Sequence, residues 1–359
     1  MAMPAPTAQP SGAGRDHGFH PLRVARVVRE TADATSFVLD VPAELRPAFA
    51  YEAGQFCNFR VVLDGQEHQR CYSMSSSPEV DAELTVTVKR VPGGVVSNWM
   101  NDALGPDDVI DAGVPTGLFR LGPGDGDVVA FGAGSGITPI FSIMKTALAT
   151  TSRRVRLLYA NRDRDSVIFS AGLDALLAAH PDRLTVHHHH DVDHGFVGPE
   201  AVRTLLDGAA DPECFVCGPG PFMDIVETTL LDAGVDPARI RVERFTPADP
   251  LTAPELIEAD AEIAAEAAPA TQVTVKRNGK VATGEHRPGT TLLQMARELG
   301  MSPPYSCEAG NCATCMAMLV DGEATMRANN ALTPEEVAEG WVLTCQAVPT
   351  SPTVSVVYE

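Results

Sequence analysis

Cys307-Glu-Ala-Gly-Asn-Cys312-Ala-Thr-Cys315, followed after twenty-nine intervening residues by Cys345, decides how this chain reads. Four thiolates at C-x4-C-x2-C…C spacing match the plant-type cradle for one [2Fe-2S] cluster. Two irons need four soft anionic ligands, and a tight loop supplies three of them while a distant strand closes the site. The expected metal ligands are therefore Cys307, Cys312, Cys315 and Cys345, and Gly310 suits the strained turn between the first two. The alternatives are a zinc site or a set of buried free thiols. Structural zinc usually takes two paired C-x2-C knuckles, and here Cys345 stands alone. A chain that carries electrons singly is the expectation.

Outward from that loop, the tail reads as a small α+β domain over 271–359. The alternating run Gln272-Val-Thr-Val-Lys276 predicts a strand, Asn278-Gly279 a turn, and Leu292, Leu293, Ala296 and Leu299 a helix that stops at Gly300. Ahead of it, residues 251–270 are dominated by Ala, with Pro254 and Pro269, five acidic residues and no Lys or Arg. Such a stretch has little to bury and reads as an acidic linker.

The chain has 359 residues, a size that suggests two or three domains, and 44 % hydrophobic content is ample for several cores. No stretch reaches the roughly eighteen apolar residues of a membrane helix, so no membrane association is expected. The segment 1–18 is rich in Pro, Ala and Gly and lacks both a basic and an apolar region, so it reads as a disordered leader, which places the chain in the cytoplasm. Eight cysteines in a reducing compartment point to metal ligation and burial rather than disulfides. A net charge of -20 argues against nucleic acid and favours solubility or a basic protein partner.

Two further domains precede the linker. Residues 19–123 hold short alternating runs such as Thr35–Val41 and Leu84–Lys89, broken by Gly and Pro, which predict an antiparallel β-barrel. Residues 124–250 switch to α/β alternation: strand 128–131, helix 139–148, strand 155–159, helix 171–179, strand 184–187 and strand 214–217 predict a nucleotide-binding parallel sheet.

Gly132-x-Gly134-x-Gly136 lacks the full dinucleotide fingerprint and is a weak signal alone. Its position between a strand and a helix strengthens it, because the helix start offers free N–H groups and a positive dipole end to a pyrophosphate. Cys217-Gly218-Pro219 ends a later strand at the same carboxyl edge, where a ligand of an open α/β fold lies. In the barrel, Arg70-Cys71-Tyr72-Ser73 combines a guanidinium that can fork to phosphate with a ring for a flat heterocycle. Alternation puts Arg70 and Tyr72 on one face and Ser73 on the other. Gly93-Gly94-Val95-Val96-Ser97 precedes a predicted helix over 98–104, with Ser97 as N-cap. Ordinary readings stand beside these: Arg70 on a solvated edge, Tyr72 in a core, Ser97 as a cap and nothing more.

In that order, and ahead of the cluster loop, Arg70-x-Tyr72-Ser73, Gly94-x-x-Ser97, Gly132-x-Gly134-x-Gly-x-x-Pro139 and Cys217-Gly218-Pro219 resemble the ferredoxin-NADP reductase superfamily fused to a C-terminal ferredoxin. The resemblance runs from Phe19 to Glu359. Within the superfamily, phrases such as Arg70-Cys-Tyr-Ser-Met74, Gly134-Ser-Gly-Ile-Thr-Pro139, Leu158-Tyr-Ala-Asn-Arg-Asp163 and Cys217-Gly-Pro-Gly-Pro-Phe-Met223 resemble the reductase components of 3-ketosteroid 9α-hydroxylases, with the reductase subunit of phenylacetyl-CoA epoxidase as the nearest rival.

The resemblance implies FAD in the barrel, with Arg70 on its pyrophosphate, Tyr72 against the isoalloxazine and Ser73 near flavin N5. It implies further cofactor contacts at Cys71, Val88, Lys89 and from Gly94 through Val95 and Val96 to Ser97. Gly134, Ser135, Gly136 and Thr138 would line the dinucleotide site with Asn161, Arg162, Gly218 and Pro219. Cys217 would approach the nicotinamide, and Phe245 would cover the flavin unless it is a core residue. Ser73 and Cys217 are the expected catalytic pair. The implied ferredoxin domain is of the β-grasp type. Many relatives have Arg and Gly where this chain has Glu308 and Ala313, a change that would bear on cluster potential, partner contacts or backbone strain.

Electron counting gives the same order: a hydride carries two electrons, a [2Fe-2S] cluster takes one, and a flavin converts between them. The expected partner is the oxygenase component of a multicomponent monooxygenase, of the Rieske steroid-hydroxylating kind, with the reductase itself a monomer. A reading of another class is an iron–sulfur sensor or scaffold without FAD. Asn161-Arg-Asp-Arg-Asp165 offers both acidic and basic groups to a ribose, so NADH is favoured over NADPH by resemblance alone. The run His187–His190 with His194 reads as an exposed loop, not a metal site, and Cys214 as a small hydrophobe separated from Cys217 by alternation.

Overall fold

A computed structural model of the protein describes residues 18–245, 272–277, 279–287, 289–301, 303–305, 308, 310, 312–329 and 331–358. All of the expected leader except Gly18, the linker 251–270, the turn residue Asn278 and the expected ligand Cys307 lie outside the described residues.

The first sheet comprises β1 (Phe19–Arg29), β2 (Ala34–Asp40), β3 (Phe56–Leu63), β4 (Gln66–Ser73), β5 (Leu84–Lys89) and, after helix α1 (Val95–Ala103), β6 (Val109–Gly113). Its order is β4-β3-β6-β1-β2-β5, with every neighbouring pair antiparallel. A bridge from Met74 to Val86 ties the end of β4 to β5 at the opposite edge and curls the sheet into the expected barrel. Leu22, Phe37, Phe59 and Met74 fill it, each contributing about 1.5–3 kcal/mol by burial. Helix α1 plugs the barrel through Val96 and Met100, one turn apart on the same face.

Helix α1 starts at Val95, not Asn98, and Gly94 rather than Ser97 is its N-cap. The Ser97 hydroxyl is spent elsewhere: it accepts from the Val91 N–H at 3.1 Å and closes the preceding turn from inside.

The second unit follows in chain order: β7 (Val128–Ala133), α2 (Ile137–Thr150), β8 (Val155–Asn161), α3 (Ser170–Ala179), β9 (Leu184–His190), α4 (Asp191–His194), α5 (Pro199–Leu206), β10 (Glu213–Gly218), α6 (Gly220–Asp232) and β11 (Ile240–Arg244). The sheet order is β11-β10-β7-β8-β9, parallel throughout. Strands β7 and β10 are buried along their whole length, as strands covered on both faces must be. The chain leaves β7 toward β8 on one side and returns to β10 on the other, which opens a crevice at the carboxyl ends of β7 and β10.

The histidine run is strand, not loop. Strand β9 continues to His190 because β8 extends to Asn161 and supplies ladder partners from Leu158↔His187 to Asn161↔His190. His187 and His188 are exposed, whereas His189 and His190 are half-buried.

Barrel and parallel sheet share a core: Ala34, Ala53 and Phe119 of the barrel side pack with Ile140 and Ile143 of α2, and Phe119 meets Phe215 edge-on at 5.4 Å. The Ser142 hydroxyl donates to the Ser76 carbonyl across this seam at 2.5 Å.

The third unit has β12 (Gln272–Arg277), β13 (Lys280–Glu285), α7 (Leu292–Glu298), β14 (Met316–Asp321), β15 (Ala324–Met326), α8 (Pro334–Ala338), β16 (Trp341–Leu343), β17 (Ala347–Pro349) and β18 (Thr353–Tyr358). Its main sheet runs β13-β12-β18-β14-β16 with β12 and β18 parallel, and α7 packs across it through Leu292, Met295 and Ala296, a β-grasp arrangement. Thr291 and Gln294 form a reciprocal cap on α7, and Gly300 at φ +72° ends it. Among the described residues no helix is long and apolar enough to cross a membrane.

Candidate functional site

Strand β4 pairs with β3 in the register Phe59↔Arg70, Asn58↔Cys71, Cys57↔Tyr72 and Phe56↔Ser73. Alternation therefore groups Arg70 and Tyr72 with Phe59 and Cys57, and Cys71 and Ser73 with Asn58 and Phe56. Tyr72 tilts against Phe59 at 6.0 Å, and burial pushes its phenol well above the ordinary range. Arg70 donates to the Gln69 carbonyl at 2.7 Å. The Ser73 hydroxyl is buried with no hydrogen-bond partner. Such an orphan costs about 1–3 kcal/mol, a cost that a polar atom of a bound group would remove, so the site fits a flavin edge.

The start of α1 carries no side-chain cap, so its first-turn N–H groups are available to an anion. Val96 points into the core while Val95 is exposed. The Val88 side chain is likewise in the barrel core, and its carbonyl accepts from Asn101 Nδ2 at 3.1 Å. The ammonium of Lys89 stands 3.8 Å from Asp33 and reaches toward the glycine loop, where a Cβ on Gly134 would lie 3.5 Å from it.

In the glycine loop, Gly134 has φ +53° and Gly136 touches β10 so closely that a Cβ there would sit 2.1 Å from the Cys217 carbonyl oxygen. Tyr159 fixes the loop from beneath: its buried hydroxyl donates to the Gly134 carbonyl at 3.1 Å and accepts from the Ile168 N–H at 3.2 Å. The Thr138 hydroxyl donates to the Ser135 carbonyl at 3.0 Å. Asn161 is buried with neither amide atom hydrogen-bonded, a second orphan suited to a polar ligand. Arg162 is exposed and pairs with Asp163 at 2.9 Å, and the Asp163 carboxylate also accepts from the Ser166 N–H.

At the carboxyl end of β10, Cys217 is fully buried and paired in register with Glu243 of β11, and Gly218 and Pro219 turn the chain into α6. Burial pushes the Glu243 carboxyl up to about 8, and Oε2 has no partner. Burial, with Glu243 as a smaller cause, raises the Cys217 thiol well above its usual value. Both groups are neutral near pH 7. Sequence reasoning gives Glu243 no role: in Ile240-Arg-Val-Glu-Arg-Phe245 three of six residues are charged, and nothing local separates the buried carboxylate from its neighbours. Phe245 itself is 39 % exposed at the end of the described segment. Cys214 lies in the core on the other side of the sheet from Cys217.

Three of the expected cluster ligands are buried together. The Cys345 N–H donates to Cys315 Sγ at 3.4 Å, and the Cys315 thiol is raised well above its ordinary value, first by its hydrogen bond to Cys345 and then by burial. Buried thiols of this kind become ligands only when a metal replaces their protons, which is the donor set a [2Fe-2S] cluster takes. Gly310 has φ +77°, and a Cβ would lie 2.8 Å from the Ala328 carbonyl oxygen, so the loop needs glycine there. Ala313 sits at φ +53°, where the resemblance leads one to expect Gly, and it carries the strain of a left-handed turn. Glu308, the other departure, is not a loose charge beside the cluster: Arg297 of α7 holds its carboxylate with both Nη atoms.

The cluster loop seats on the barrel. Cys71 Sγ lies 3.5 Å from Thr314 Oγ1 and 4.0 Å from the Cys312 carbonyl oxygen, and Phe56 packs on Cys312. The structure thus brings Cys71, Ser73 and the described expected ligand Cys312 to neighbouring places, and the glycine loop, Cys217 and Glu243 to another.

Family models match three segments in turn: "Oxidoreductase FAD-binding domain" over residues 21–121, "Oxidoreductase NAD-binding domain" over 131–228 and "2Fe-2S iron-sulfur cluster binding domain" over 275–350. The 3-ketosteroid-9-alpha-monooxygenase ferredoxin reductase component of Rhodococcus rhodochrous is 40 % identical over 91 % of this chain and 93 % of its own length. A subunit of the 1,2-phenylacetyl-CoA epoxidase of Escherichia coli K12 is 32 % identical over 95 % of this chain and 98 % of its own. Among solved structures, phthalate dioxygenase reductase, a modular structure for electron transfer from pyridine nucleotides to [2Fe-2S], shares the fold at a TM-score of 0.58 and 23 % identity, covering 95 % of this chain and 98 % of the other.

Proposed function

Because the chain belongs to the family of oxygenase reductase components that carry FAD-, NAD- and [2Fe-2S]-binding domains on one polypeptide, we propose that it oxidises NADH and delivers single electrons through FAD and the cluster to the oxygenase component of a 3-ketosteroid 9α-hydroxylating system. The observation that carries this reading is the seating of the cluster loop on the strand of Arg70 to Ser73, which favours a flavin-to-cluster order. The greater likeness to the ketosteroid component than to the epoxidase protein supports the steroid assignment.

Bound FAD supplies the conversion between the two electrons of a hydride and the single electrons that an iron–sulfur cluster takes. Arg70 and the first-turn N–H groups of Val95, Val96 and Ser97 would hold its pyrophosphate, with the backbone of Val88 and the ammonium of Lys89 nearby. Tyr72 would lie against the ring system, and the orphaned Ser73 hydroxyl would find its partner at the reacting edge. Phe245 would cover the ring. At the start of α2, Gly134, Ser135, Gly136 and Thr138 would carry the nucleotide pyrophosphate, and Gly218 and Pro219 would border it. Asn161 would satisfy its buried amide on the ribose, with Arg162 at the rim. Cys217 and Glu243, both neutral, would flank the nicotinamide without placing a charge beside the hydride path. Cys307, Cys312, Cys315 and Cys345 would ligate the cluster. The free thiols among the described cysteines suit the cytoplasm.

The test is anaerobic stopped-flow spectroscopy of the purified protein with NADH and, separately, NADPH. Flavin bleaching followed by loss of the iron–sulfur bands with NADH is the expected result. Prompt bleaching by NADPH alone would reverse the nucleotide assignment, and a spectrum without flavin would leave the sensor reading standing.

A further inference from the structure

We propose that Cys71 is a positioning residue for electron transfer: its thiol clamps the cluster loop, at Thr314 and at the carbonyl of Cys312, onto the strand that bears the flavin residues. The inference rests on the FAD and [2Fe-2S] assignments above and deepens them.

Strand β4 presents Cys71 and Ser73 on one face, two residues and so about 7 Å apart along the strand. Cys312, an expected ligand, packs against Phe56, and Phe56 is the register partner of Ser73. The serine assigned to the flavin edge, the aromatic ring beside it, the Cys71 thiol and a cluster ligand therefore form one continuous patch. Cysteine suits the middle of it: small, largely apolar, and with a weak S–H donor and acceptor for a hydroxyl and a carbonyl.

A cavity of about 420 Å³ opens beside the contact, lined by Asn58, Arg60, Gln69, Arg277, Thr314 and Trp341 among others. Asn58 Oδ1 and Arg277 Nε are buried without hydrogen-bond partners, and Arg277 reaches Glu67 only at 3.7 Å. A polar space of this size has room for water. At Cys71 the loop and the strand meet side chain to side chain, so a bulkier side chain there would push the loop away from β4.

The test uses Thr314→Cys in the full-length protein carrying both cofactors. Oxidised glutathione is added as oxidant, the thiols are mapped by peptide mass spectrometry, and NADH-driven bleaching of flavin and cluster is timed by stopped flow. The expected result is a disulfide between Cys71 and the substituted position, with the cluster still bleaching after the flavin at no less than the untreated rate. A folded, cluster-bearing protein in which no such disulfide forms overturns the contact. A disulfide that leaves the flavin reducible but blocks the cluster overturns its role in transfer. In a second variant, Cys71→Arg, the ratio of cluster rate to flavin rate should fall roughly ten-fold or more and recover in Cys71→Ser; an unchanged ratio in Cys71→Arg sinks the proposal as well. Failure of the functional reading looks different: the unaltered protein would then show no flavin phase at all, while the disulfide map still reports on the contact.

Discussion

Arg297 and Glu308 meet in a two-pronged ion pair, Nη1 to Oε2 at 3.0 Å and Nη2 to Oε1 at 2.9 Å, with the guanidinium 3.8 Å over the ring of Tyr305. Glu308 stands at φ +50° in the ligand loop, and the Gln346 side chain donates to its carbonyl at 2.8 Å. A residue that the sequence presents as an added carboxylate beside the expected cluster is the loop's tether to α7. Both side chains are about one-third exposed, so the pair contributes only about 0.5–1 kcal/mol. Arg297→Ala should accelerate loss of the cluster's visible circular dichroism in urea at low salt, and the difference from the parent should narrow at high salt. Equal rates of loss at low salt would remove the tether from the account.

Ser73→Ala separates a site residue from a packing residue. In protein stripped of FAD the hydroxyl is buried and unpartnered, so there its deletion should leave thermal stability unchanged or slightly higher. Flavin reduction by NADH should fall roughly 10²-fold if the hydroxyl serves the reacting edge. A lower melting temperature with normal flavin reduction would assign it to the core instead.

Glu243 predicts a pH effect on stability. Its folded-state value of about 8 lies above the ordinary carboxyl value, so the folded protein keeps a proton that the unfolded chain has already lost. The associated stability is fully present in acid and is lost as the pH climbs toward about 8. Glu243→Gln should therefore gain on the parent in thermal unfolding as the pH is raised from about 5 to about 8. Parallel curves across that range would show that the carboxyl is not held neutral.

Gly136→Ala should be costly for a steric reason. The added methyl would lie 2.1 Å from a backbone oxygen of β10, so the loop or the strand must move. We expect a loss of about 2 kcal/mol or more and a raised KM for NADH, measured by denaturant unfolding and steady-state kinetics. Gly220→Ala, where nothing lies within 4 Å of the new atom, is the matched control and should be near neutral. A tolerated Gly136→Ala would mean that the loop is not pressed against Cys217.

The sequence was most legible where chemistry is local. The strand–glycine–helix order of β7 and α2 and the apolar stripe and stop of α7 each depend on neighbours within a few positions, and the structure has them where the pattern does. Side-chain competition and edge pairing were harder. Ser97 looks like an N-cap until Val91 claims its hydroxyl, and His187 to His190 look like a loop until β8 offers them a ladder. Long-range contacts were not legible at all: the approach of Thr314 to Cys71 spans 243 positions, and the isolation of Glu243 in the sheet depends on the strands beside it.

In the third unit, β18 lies between β12 and β14 and bonds to both, although it follows every other strand in the chain. A ribosome therefore releases the middle of that sheet last. Until those six residues emerge, β12 has no parallel neighbour and the platform beneath the cysteine loop is split in two. The first unit is closed in the same way, its last strand β6 entering between β3 and β1, but that strand is made long before β18. Cluster loading is then a late event on a protein whose nucleotide-handling parts are already built, and loss of β18 would split the very part from which its electrons leave.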